Sequence, residues 1–407
     1  MLALQRGISP LKGISYFYLM PLPSKTIKVA FSVINCICHD QRVMKIAETV
    51  SRMGCNIIII GRKSGACCNY NSVPFITERF RMIFKRGFLF YAFFNIRLFT
   101  FLLFHKYDLL VSNDLDTLLP NFLVSNLKGI PLVYDSHEYF TGVPEIQNRP
   151  FVKWVWKSIE KLVFPRLKYI MTVSDSIAIQ YEKDYGLKPI TVRNCAIRTE
   201  LIIPYSRDEL KLNSDHLLLI LQGTGINVDR GGEELIDAVA ITEKVSLLII
   251  GSGDKIEFLT KKVKELGLAE RVKFIHPLPW ENLMKYTRSI DAGLSLDKNS
   301  NMNYKFSLPN KLFDYLSAGL AVIASDLPEI SKILSEYKCG IIIPEVNKEE
   351  ISNAIKKLRE NRELLSELKQ NSVIASKSIN WENESLKVEE LYRSIINKLQ
   401  SSICGPQ

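Results

Sequence analysis

The chain is poor in the residues that mark metal and redox proteins. It has 407 residues but only five histidines, and its eight cysteines include no pair at the Cys-x-x-Cys spacing of a zinc site. Residues 1–24 lack the continuous apolar core of a signal peptide, so the cysteines, including Cys36, Cys38, Cys67 and Cys68, read as reduced thiols of a cytoplasmic protein. Those 24 residues read as a loose N-terminal extension ahead of the folded part. No Gly-x-Gly-x-x-Gly follows the first strand-like run, which argues against a dinucleotide-dependent oxidoreductase. No nucleic-acid-binding module is recognisable, which leaves charge as the sole argument for a nucleic-acid partner; none is expected.

What is present is a large apolar fraction arranged in a repeating rhythm. Hydrophobic residues make up 47% of the chain, enough for sizeable cores, and the length suits two domains of ordinary size. Lysine and arginine number 53 against 43 acidic residues, a balance of +10 that favours phosphate-bearing ligands or an anionic membrane surface. Residues 25–33 alternate as a strand, Asp40-Gln-Arg-Val43 opens a helical pattern, and Asn56 to Ile60 is an apolar strand. Strand, helix and strand in that order form a βαβ unit, so the sheet should be parallel. Further buried-strand runs lie at 108–112, 130–134, 169–173 and 190–192. Residues 194–215 then turn polar and irregular, as a linker would, and the rhythm resumes with strands at 216–221, 245–250, 272–275 and 290–295. Ligands of open parallel sheets sit beyond the carboxyl ends of the strands, which places Asp135, His137 and Glu138 where chemistry is expected.

Phe88 to Phe104 is the oddest segment, FLFYAFFNIRLFTFLLF, preceded by Lys85-Arg86 and followed by His105-Lys106. Its length meets only the lower end of the roughly 17–25 residues a spanning helix needs, and Asn95 and Arg97 in its middle are costly in lipid. It reads as a buried helix between strands, with a helix lying on a membrane surface and, last, a transmembrane helix as the alternatives.

The stretch Asn303 to Asp326 carries the chemistry. Leu312, Phe313 and Leu316 give a helix its apolar face, Pro309 suits its first position, Gly319 stops it, and Leu320 to Ala324 is a buried strand. Lys311 falls in the first turn beside unpaired backbone N–H groups, an anion site. Asn310 and Asp314 share a face one turn apart, where a carboxylate can hold a sugar diol. The pattern predicts nucleotide-sugar phosphates at the helix tip and ribose one turn in.

Pro309 to Tyr315 (PNKLFDY), Ala318-Gly319 and Val322 to Ser325 resemble the donor-binding segment of GT-B glycosyltransferases, the family 4-like group. The resemblance covers about residues 25–399 and includes the Asp-x-Arg-Val start of the first helix. It implies an α/β GT-B fold of two Rossmann-like domains with parallel sheets facing a central cleft. The domains would span 25–198 and 199–379, with a C-terminal helix at 380–400 crossing back onto the first. It also implies transfer of a hexose-type sugar from a nucleoside diphosphate sugar to a glycan or lipid-linked glycan, with retention and without a metal or cofactor. A cytoplasmic enzyme of this kind would be expected to meet such an acceptor as a peripheral protein of the inner membrane face.

By the same resemblance, Gly223, Thr224 and Gly225 form the glycine turn against the donor, Gly251 and Gly253 the next turn, and Pro277 and Leu278 the loop that holds the base. Asn310 and Asp314 bind the nucleotide. Arg230 and Lys311 carry the diphosphate, and His137 meets the donor sugar. Asp135 and Glu138 are expected on the acceptor side, Glu138 either contacting the acceptor or simply forming a salt bridge, and Trp280 is expected to pack. The family pairs two glutamates, the second matched by Asp314; the first falls on Phe306, a departure that keeps a catalytically silent binding subunit open as an alternative. A sugar-nucleotide epimerase of the same fold is another. Asp114-Leu-Asp116 looks like a metal-binding pair but lies in the first half, away from the expected diphosphate.

Overall fold

The computed structural model describes residues 26–37, 40–63, 73–210, 212–213 and 215–404; the expected N-terminal extension lies outside them. The described chain forms two parallel sheets. The first contains β1 (Lys28–Ser32), β2 (Asn56–Arg62), β3 (Ile76–Phe80), β4 (Leu109–Asn113), β5 (Leu132–Ser136), β6 (Tyr169–Thr172) and β7 (Ile190–Thr191) in the order β3-β2-β1-β4-β5-β6-β7. The second contains β8 (Leu217–Gly223), β9 (Val245–Gly251), β10 (Val272–Ile275), β11 (Ala292–Ser295), β12 (Ala321–Ser325) and β13 (Gly340–Ile343) in the order β10-β9-β8-β11-β12-β13. Strand order reverses beside β1 in one sheet and β8 in the other, and crevices open at such points.

The alternation in β1 accounts for the layering. Ile27, Val29, Phe31 and Val33 enter one core with the helix Gln41–Arg52, while Ala30 and Ile34 enter the core on the other face. The helix Trp381–Cys404 leaves the second half and brings Trp381, Val388, Leu391, Tyr392 and Ile395 into the first of these cores. The expected C-terminal crossing is therefore made through apolar contact with the first sheet's helix.

Two edge strands, β3 and β13, escaped the sequence reading. Ile76, Thr77, Glu78 and Arg79 in β3 are only partly covered, so no apolar run announces it. Cys55, Cys195 and Cys339 are buried thiols, but Cys36 is disulfide-bonded, which corrects the expectation that all the cysteines are reduced.

Residues 88–104 form one helix, with Phe90, Phe94, Leu98 and Leu102 buried in a stripe of four-residue spacing. Two of its polar residues are held by neighbouring groups: Asn95 donates to the carbonyls of Tyr91 and Asp116, and Arg97 lies 4.6 Å from the Phe80 ring centre while donating to the Arg81 carbonyl. The helix is thus half core and half surface, because one stripe is enough to anchor it. Phe88, Leu89, Ile96 and Phe104 remain exposed, Phe104 by 81%. No helix among the described residues is long and apolar enough to cross a membrane.

Candidate active site

A cavity of about 790 Å³ lies between the two halves at the carboxyl ends of both sheets. Asn35, Asp40, Arg62, His137 and Glu138 line it from the first half; Gly223, Thr224, Gly225, Arg230, Leu278, Asn310, Lys311 and Asp314 line it from the second. The halves are joined across it. Asn303 accepts from the Tyr139 amide at 3.2 Å and donates to Glu138 at 2.9 Å, and Glu329 accepts from the Ser176 amide at 2.6 Å.

The glycine turn after β8 is built by backbone contact. Gly223 and Gly251 have φ of +141° and +145°, and a Cβ on Gly251 would lie 1.7 Å from the Gly223 carbonyl oxygen. Only glycine fits there. Gly251 and Gly253 consequently stand behind the turn and not on the cleft wall, which corrects their expected donor contact; Ser252 ties the layers by donating to the Gly223 carbonyl and accepting from the Ile226 amide. Pro277 is likewise exposed away from the cavity, which Leu278 reaches.

The helix Asn310–Ala318 begins one residue later than expected, with Pro309 as its extended N-cap. Its Leu312, Phe313, Tyr315 and Leu316 are buried, and Gly293 on β11 makes room for the Tyr315 ring, whose carbons lie 2.4 Å from an ideal Cβ there. The packing fixes Asp314 on the cleft side. Both of its oxygens are held, one by the Trp280 indole N–H at 3.1 Å and the other by the Gln222 amide at 3.0 Å, itself oriented by Thr287. Burial pushes the carboxyl up to about 6, against the opposing effect of these bonds. Trp280 therefore does more than pack.

Arg230 and Lys311 meet on a residue that sequence reasoning missed. Asp297, fully buried, accepts from Arg230 at 2.6 Å and lies 3.4 Å from Lys311, and the Arg230 guanidinium sits 4.1 Å from the Tyr304 ring centre. Burial lowers Lys311, with Asp297 acting the other way, while for Arg230 Asp297 and Tyr304 together outweigh burial and raise it. Asp297 has no motif in sequence; its role comes from the loop between β11 and the helix Met302–Phe306. Phe306, in the place of the family's first glutamate, packs on the first half's core, and its carbonyl accepts from Ser174 at 2.9 Å.

The first-half wall of the cavity is an ionic cluster. Asp40 caps its helix by accepting from the Val43 amide, and two residues on Arg42 forms a forked pair with Asp135 at 2.9 and 2.7 Å. Asp135 is fully buried and does not reach the cavity, a correction to its expected acceptor role; Arg42 and His137 together overcome burial and hold it well below the usual carboxylate range. His137 is enclosed by Asp135 at 3.2 Å, Asp114 at 3.4 Å and Asp40 at 3.8 Å. Burial opposes its charge, but the three carboxylates lift it to about 10. The three carboxylates therefore favour the charged form of His137, which works against a role as a base. Asp114, read as a bystander, is one of its partners.

Parallel α/β sheets facing one another across such a cleft define the GT-B class. The first half matches the family model Glycosyltransferase Family 4 over residues 40–201, and the second matches Glycosyl transferases group 1 over residues 206–373. The chain belongs to this group 1, family 4-like set of GT-B proteins. Among curated relatives, an uncharacterized glycosyltransferase of Methanocaldococcus jannaschii is 22% identical over 59% of this chain and 62% of its own. The chitobiosyldiphosphodolichol beta-mannosyltransferase of Candida albicans is 24% identical over 48% of this chain and 46% of its own. The matches thus span less than two thirds of both relatives. Among solved structures, sucrose-phosphate synthase from Thermosynechococcus elongatus superposes with a TM-score of 0.76 at 16% identity over 91% of this chain and all of its own. HepE of Anabaena, in complex with UDP-glucose, gives 0.72 at 16% over 90% of this chain and all of its own. These likenesses establish the fold.

Proposed function

We propose that this chain transfers a hexose-type sugar from a nucleoside diphosphate sugar to an acceptor hydroxyl, with retention and without a metal. The observation that carries the reading is the convergence of Arg230, Lys311 and the N-terminus of the helix Asn310–Ala318, with Asp314 one turn deeper in the same cavity. As the sugar leaves, negative charge grows on the diphosphate, and preorganised cations stabilise it without rearrangement. Asp314 accepts from ribose, the Gly223 turn lies under the phosphates, and His137 meets the sugar as an imidazolium. The complex of HepE with UDP-glucose supports the donor class. The test measures release of nucleoside diphosphate across a panel of UDP-, GDP-, ADP- and dTDP-sugars, with and without acceptor and in excess chelator. Turnover is expected to survive chelation; loss restored by magnesium or manganese overturns the role given to the two cations.

The acceptor in this reading is a lipid-linked glycan met at the inner face of the cytoplasmic membrane. The name of the Candida relative, which specifies a diphosphate-linked lipid, is consistent with that class. Ile83, Phe84, Phe88 and Leu89 are exposed beside exposed Arg81, Lys85 and Arg86, and residues 81–106 contain no acidic side chain. Each surface cation near an anionic leaflet contributes about 1 kcal/mol, so attachment should be reversible and salt-sensitive. The protein is expected to sediment with phosphatidylcholine vesicles containing phosphatidylglycerol at low salt, and to be released by high salt or by joint Lys85→Glu and Arg86→Glu substitution. Wild-type protein left in the supernatant at low salt overturns this.

A further inference from the structure

Arg62 ends β2 and lines the cavity from the first half, but the proposed donor chemistry does not use it. Its guanidinium lies 5.4 Å from the ring centre of Phe90, in the first turn of the helix Phe88–Phe104. Among the described residues no carboxylate pairs with it, and its Nε is buried with no hydrogen-bond partner. The Arg230 Nε is likewise without a partner, but the other cations of the cavity have carboxylates: Arg42 pairs with Asp135, and Arg230 and Lys311 share Asp297. A buried guanidinium nitrogen left without an acceptor is costly, and a planar fork of donors is the geometry that phosphate accepts. Phe90, which packs against it, is followed outward by the exposed apolar and basic residues 83–89.

We propose that Arg62 binds the phosphate of the acceptor, and that the acceptor is a phosphate or diphosphate ester of a long hydrocarbon chain. The inference rests on the glycosyltransferase reading and names the substrate class on its acceptor side. A chain lying along residues 83–89 stays in or near the lipid while its ester phosphate reaches Arg62 at the cavity wall. The sugar beyond the phosphate then extends toward Glu138 and the donor. A soluble sugar phosphate would satisfy Arg62 equally but would leave the apolar approach without a purpose.

The test titrates farnesyl diphosphate calorimetrically into protein saturated with the nucleoside diphosphate that binds best, so that the donor cations are occupied. Binding is expected, and Arg62→Gln should weaken it about 10- to 100-fold, as loss of a charged hydrogen bond does, without changing nucleotide affinity. Farnesol and inorganic diphosphate should each bind much more weakly than farnesyl diphosphate. The proposal is overturned if wild-type protein does not bind farnesyl diphosphate, or if Arg62→Gln binds it as well as wild type. It is also overturned if inorganic diphosphate binds equally tightly, which makes Arg62 a bare anion site. Failure of every nucleotide to bind defeats the donor reading separately; the farnesyl diphosphate titration then proceeds without nucleotide and still decides the role of Arg62.

Discussion

Replacing Arg230 with alanine is expected to lower turnover by about 10²–10³-fold, the usual effect of deleting one preorganised group that meets developing negative charge. The structure adds a reason for an effect at the high end. Arg230 and Lys311 share the fully buried Asp297, at 2.6 and 3.4 Å. With Arg230 gone, Asp297 and Lys311 leave the phosphate subsite close to neutral, so the variant loses more than one hydrogen bond. Arg230→Lys keeps the charge but loses the planar face that stacks 4.1 Å from the Tyr304 ring centre, and should recover only part of the rate. Asp297→Asn separates the two contributions, since it frees the cations from their counter-ion while keeping the shape of the loop. Initial rates at saturating donor, with thermal melting as a check on folding, decide the matter. A folded Arg230→Ala enzyme within threefold of wild type removes Arg230 from the chemistry.

Asp314→Ala should weaken nucleoside diphosphate binding by about one to two decades, the roughly 1.5–3 kcal/mol of a hydrogen bond to a charged group. Trp280 and Gln222 hold one oxygen each, leaving lone pairs on the cleft side for two ribose hydroxyls. Burial pushes this carboxyl up to about 6, which predicts a pH dependence. As pH falls through about 6, Asp314 takes a proton, the charged acceptor is lost and the nucleotide dissociates more readily. The free protein responds in the opposite sense: with its folded value raised from 3.8 to about 6, this one group stabilises the fold as pH falls across that range. A terminal phosphate also titrates at about 6, so the measurement uses the intact nucleotide sugar, whose diphosphate is fully esterified. Asp314→Asn should bind weakly with a flat profile. A wild-type profile that persists in Asp314→Asn assigns the titration elsewhere.

Much of this was legible in the chain. Buried parallel strands are apolar on both faces, so β4, β5, β8 and β9 stand out as runs, and the PNKLFDY helix start places a cation and a carboxylate one turn apart by helical geometry alone. The edge strands β3 and β13 were silent because half their surface faces solvent or neighbouring loops and demands no apolar pattern. Asp297 was silent because nothing in its local sequence distinguishes it; it becomes the hub of the cations only when the loop after β11 folds against Asp229 and Gly231. Asp135 and His137 were correctly found at a strand end. Yet their chemistry was decided by Arg42, 93 residues away, and by Asp40 and Asp114, which gather around them only when β1, β4 and β5 lie side by side. Periodicity reports what one element buries, and so the sequence by itself determined the central strands of both sheets, the helix Asn310–Ala318 and its polar face. Charge pairing depends on which elements become neighbours, so the tertiary structure alone decided that His137 is held charged, that Asp135 is a buried counter-ion, and that Arg62 faces the cleft without one.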